Sequence, residues 1–148
     1  MLAHVIGSSI HYLTAFLLVG LLIAQMYVLK FKPSIAVLQV SARIDRVYAI
    51  ALLLVLATGI DGVFHTGKGL SYYLHSGAFH GAVTFYALLI LLSIKPWLRV
   101  RNWNRNSIGA LPADADWGSL RKWIHIRLGL VTLIVFCMSA MARGVGSA

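Results

Sequence analysis

The sequence predicts an all-α fold, a four-helix transmembrane bundle of up-down antiparallel topology with both termini on the non-cytoplasmic side. Three observations predict it. Four apolar stretches recur along the chain, 59% of residues are hydrophobic against 11% charged, and the basic residues collect between the stretches. A soluble domain carries about 25% charged residues, and fewer than half as many could not cover a water-facing surface. The mean hydropathy of +0.82 points the same way. The 148 residues are enough for one domain, 1–148.

The stretches place helices at about 5–29, 40–64, 79–98 and 123–142. Each approaches the roughly 20 residues that span a ~30 Å hydrocarbon core. The first, Val5 to Leu29, is too long for the core of a signal peptide, and only His4 precedes it where a signal would be basic. It is expected to stay as a membrane helix. The second run, Tyr48 to Phe64, is short, so its helix should begin earlier, near Ser34 or Val40. That would leave Arg43, Asp45 and Arg46 in the headgroup region, as an anchor or a solvated turn. Between the third and fourth helices, Arg99 to Lys122 is the one sizeable soluble element, broken by Pro112, Asp114 and Asp116. Two carboxylates fall far short of a calcium loop. Gly67-Lys68-Gly69 lacks the rest of a phosphate-binding loop and reads as a turn.

Loop charges set the orientation. Lys30, Lys32, Arg43 and Arg46 flank the first connection, and Lys95, Arg99, Arg101, Arg105, Arg121, Lys122 and Arg127 the third. Only Lys68 and Arg143 belong to the other side. That bias puts the first and third connections in the cytoplasm. Trp97, Trp103, Trp117 and Trp123 then form a belt at the same interface. Topology therefore accounts for the net charge of +9, and nucleic acid is not an expected partner. The single cysteine, Cys137, lies in an apolar run, so no disulfide framework is expected.

Function should lie where polar groups persist in the membrane, because an ionisable side chain at mid-helix costs about 2.5–3.5 kcal/mol. At about 100° per residue, each helix shows one polar stripe. These are Ser8, His11, Thr14 and Gln25 on the first, and Thr58, Asp61 and His65 on the second. His80 and Thr84 mark the third; His125, Thr132 and Ser139 mark the fourth. Converging stripes are the expectation for a bundle. His11, Asp61, His65, His75 and His80 all fall toward the outer face, whereas His125 is expected at the cytoplasmic interface.

Of these, His11, Asp61, His65 and His80 are the candidate cofactor-binding residues. Imidazole ligates haem iron, imidazole with carboxylate suits copper, zinc or non-haem iron, and a His/Asp chain can relay protons. The structural alternative is a set of boundary histidines with Asp61 capping or pairing locally.

Several segments together resemble a known family. Ala42-Arg43-Ile44-Asp45-Arg46-Val47-Tyr48, Thr58-Gly59, Gly67-Lys68-Gly69 with Tyr72-Tyr73, Leu92-Ser93-Ile94 and Met141-Ala142-Arg143-Gly144 look like the bacterial four-helix membrane proteins grouped as domain of unknown function 2214. The likeness implies the fold and no activity. A weaker likeness, through His11 in the N-terminal helix, is to the haem-dependent protoporphyrinogen oxidase and the copper-resistance membrane proteins. Ala82 stands where those families often carry a lysine.

The leading expectation is a haem b or metal-binding redox protein of the bacterial inner membrane, with His11 and a second histidine as ligands and Asp61 tuning the site. Its rivals are a non-catalytic subunit of a larger membrane complex or homo-oligomer, and proton or small-solute transfer. For the subunit, small residues on the first helix (Gly7, Ala15, Gly20, Ala24) and the fourth (Gly129, Ala140) offer packing faces. Membrane lipid is the partner common to all three, and no residue is assigned a catalytic role.

Overall fold

The computed structural model describes residues 2–65, 69–106 and 111–145, with side chains from Val5 onward. Within them the chain forms α1 (Leu2–Val28), α2 (Ile35–His65), α3 (Gly69–Leu74), α4 (Gly77–Arg105) and α5 (Asp114–Ala142). Segments of α1, α2, α4 and α5 are each long and apolar enough to cross a membrane. The protein is a four-helix multi-pass membrane bundle.

Helix ends differ from expectation for local reasons. Helix α2 begins at Ile35, at the Ser34 end of the expected range and not near Val40, because Ser34 follows Pro33 as a cap and its Oγ accepts from the Val37 N–H at 3.3 Å. Helix α4 continues past Leu98 to Arg105 with Pro96 inside it. Helix α5 starts at Asp114, well before Trp123, and Asp114 and Asp116 form its first turn. There carboxylates meet the positive end of the helix dipole, so the pair belongs to a helix start and not to a loop. The long soluble connection shrinks to residues 106–113. The loop expected between the second and third membrane helices contains α3; its Gly67-Lys68 portion lies outside the described residues. Gly144 has φ +74, with Gly144 N–H on Met141 O and Val145 N–H on Ala140 O at 3.0 Å each. That left-handed glycine closes α5 as a Schellman cap.

Helix α1 packs on α2 and α4 on α5, while α2–α4 and α1–α5 contacts close the ring. Two apolar clusters fill it. Leu18, Leu22, Tyr48, Ala51, Leu52 and Leu89 form the central one. Leu29, Leu38, Val100, Trp117, Leu120 and Ile124 form the other, at the end rich in Lys and Arg. Outward faces are mainly apolar, with Phe16 and Phe136 each 76% exposed, as lipid contact requires.

Candidate functional site

Two polar regions lie along the bundle, one at the histidine end and one at the basic end. At the histidine end the seam between α1 and α2 carries most of the expected site. The Thr58 hydroxyl donates to Leu54 O at 2.7 Å, so its oxygen accepts from half-buried His11, whose Nδ1 is 2.9 Å away. This fixes the neutral ring as the Nδ1–H tautomer, with the lone pair on Nε2. The ring packs against α2 at Gly59, where a Cβ would stand 3.4 Å from His11 Cε1. One turn along α1, a Cβ on Gly7 would be 3.6 Å from Asp61 Oδ2. His65 closes the row, its Nδ1 3.0 Å from both the Asp61 carbonyl and Asp61 Oδ1. His11, Asp61 and His65 therefore share one seam.

His80 does not join it. Its Nε2 donates to Leu74 O at 2.9 Å and ties the start of α4 to the end of α3. His75 bonds back to Ser71 O at 2.8 Å, and His125 to Arg121 O at 2.8 Å. Thr84, His125, Thr132 and Ser139 are exposed, so the polar stripes of α4 and α5 face outward instead of converging. The reason is local: a Thr or His on a lipid-facing stripe can satisfy itself on a carbonyl of its own helix, as Thr132 does on Leu128 O at 3.0 Å. Among the described residues no three His, Cys, Asp or Glu side chains stand close enough to hold a metal ion.

The basic end holds what the sequence reading missed. Asp45, expected among headgroups, is 4% exposed, and Arg127, counted as a loop charge, is 2% exposed. Arg127 Nη1 faces Asp45 Oδ1 at 3.9 Å, and the guanidinium lies 5.5 Å from the Tyr48 ring centroid. Gln25 Nε2 donates to Ser41 Oγ at 2.6 Å, joining α1 to α2. Ser93 Oγ donates to Leu89 O at 2.6 Å, so it accepts from Tyr48 OH at 3.3 Å and joins α2 to α4. By position on every helix, this polar layer lies between the two apolar clusters. Helix α2 is its hub, linked by side chains to α1, α4 and α5.

A signal for it existed. Asp45 lies seven residues from both Leu38 and Leu52, and all three are buried on one face. Arg127 follows Leu120 and Ile124 on the buried face of α5. An ionisable residue in phase with a core stripe is interior even when the sequence around it is basic.

Above this layer, toward the basic end, α2 and α4 separate into a cleft of about 320 Å³ lined by Ala42, Asp45, Arg46, Trp97, Val100, Arg101, Asn104 and Arg105. The Arg101 guanidinium lies 5.3 Å from the Trp97 ring centroid, and both residues line the cleft.

Comparison with curated proteins and with solved structures gives no significant match. The model of one protein family, described as Predicted membrane protein (DUF2214), matches residues 3–146.

Proposed function

The protein belongs to this family of membrane proteins, and we propose that it works as a non-catalytic subunit packed into a larger assembly in the bacterial inner membrane. One observation carries the reading. Among the described residues a Cβ added to Gly20 or Gly129 would meet nothing within 4 Å, so neither glycine makes room there for a neighbouring helix. Yet glycine in a helix interior costs about 1 kcal/mol against alanine. Gly20 lies amid exposed Leu13, Phe16 and Tyr27, and Gly129 amid exposed Ile126, Leu133 and Phe136. Small residues on an apolar membrane face let a second helix approach closely. Expected behaviour is a particle larger than one 16.2 kDa chain after mild solubilisation. G20L and G129L should release the chain without lowering its melting temperature. A wild-type chain that runs alone ends the proposal, and a particle made only of its own copies reassigns the faces to a homo-oligomer.

A second reading, a redox protein holding haem b or a metal ion at the histidine end, is favoured by His11. Its ring is oriented by Thr58, as the outer partner of a ligand histidine would orient it, and Asp61 lies along the same seam. An absorption spectrum and metal content of the purified protein test it. A Soret band or stoichiometric metal lost in H11A supports it, and a featureless, metal-free wild type removes it.

A further inference from the structure

We propose that the cleft between α2 and α4 binds the phosphate headgroup of an anionic phospholipid from the leaflet at the basic end. Three arginines, Arg46, Arg101 and Arg105, line it. The one carboxylate in its wall, Asp45, already faces Arg127, so the open part of the cleft carries net positive charge. Arginine suits this task because its planar fork pairs with two phosphate oxygens at once. Trp97, in the same wall, is the side chain type that settles at headgroup depth.

The surroundings favour a lipid over a free anion. About two and three turns deeper on the same face of α2 lie Leu53 and Leu56, 64% and 37% exposed. The facing side of α4 offers Ile94, 47% exposed, and partly buried Ile90. A headgroup seated among the arginines would therefore continue into an apolar track that acyl chains can cover. Basic pockets between membrane helices have this form of selectivity for anionic headgroups. The inference is independent of whether a protein partner docks elsewhere.

The test is lipid retention by the full-length protein. Purified from vesicles of phosphatidylcholine with phosphatidylglycerol and washed with phosphatidylcholine–detergent micelles, wild type should keep phosphatidylglycerol. R46Q/R101Q should keep roughly 30-fold less, while R121Q/K122Q, with the same charge loss on exposed positions outside the cleft, should match wild type. R105Q alone, at the cleft rim, gives a second variant should the double change impair folding. Equal loss in the R121Q/K122Q control would show mere surface charge and overturn the proposal. So would release of the lipid by inorganic phosphate but not by chloride at equal ionic strength, which would make the cleft a free-phosphate site.

Discussion

Among the described residues, two aspartates each face a basic side chain, in pairs that differ in nearly everything else. Asp61 and His65 approach to 3.0 Å but are 61% and 66% exposed, one turn apart on a single helix. Asp45 and Arg127 are farther apart, at 3.9 Å, yet only 6% and 2% exposed, and they join α2 to α5. Proximity is therefore a poor guide to what a pair does for the fold. An exposed pair exchanges solvent contacts for each other at little net gain. A buried one has lost its solvation already, so deleting either member strands the other.

The largest effect should come from breaking the buried pair. Arg127→Ala is expected to destabilise the bundle by about 3–5 kcal/mol, measured by reversible unfolding in mixed micelles. Replacing both members, as D45L/R127M, should recover most of that loss, because an apolar pair of similar size leaves no charge uncompensated. If the double variant is as unstable as the single, Asp45 and Arg127 do more than satisfy each other.

Outside the buried pair the expected changes shrink. His11→Ala removes a half-buried ring and its bond to Thr58, and should cost about 1 kcal/mol, read by the same unfolding assay. Tyr48→Phe loses one interhelical hydrogen bond, a change of about 0.6 kcal/mol by the average for membrane bundles. Asp61→Asn should leave the unfolding midpoint where it was, since exposed pairs contribute about 0–1 kcal/mol. A loss for Asp61→Asn matching that for Arg127→Ala would erase the contrast between the two ends.

Legibility in the sequence followed the same division. The four spans were readable because hydropathy reports how each segment partitions into hydrocarbon, a property of the segment alone. Phe16, Leu53 and Phe136 face outward as such segments require. The seam of His11, Asp61 and His65 was partly readable, since Thr58, Asp61 and His65 share a face by period. His80 was placed with them only by depth, and depth does not fix direction around a helix. Asp45 and Arg127 were misplaced because a charged residue near the expected end of an apolar run was taken as solvated. Arg127 in fact lies well inside α5, which starts at Asp114.

The sequence by itself determined the membrane spans and their number, because transfer of about 20 apolar residues into lipid needs no neighbour to be favourable. It also offered Ser34 as a start of the second helix, where the hydroxyl acts on a backbone group within its own turn. Only the tertiary structure decided which polar residues face one another. Whether Asp45 meets Arg127, or His80 misses His11, depends on how each helix is rotated about its axis. That rotation is set jointly by the packing of all four helices and is a property of none of them singly.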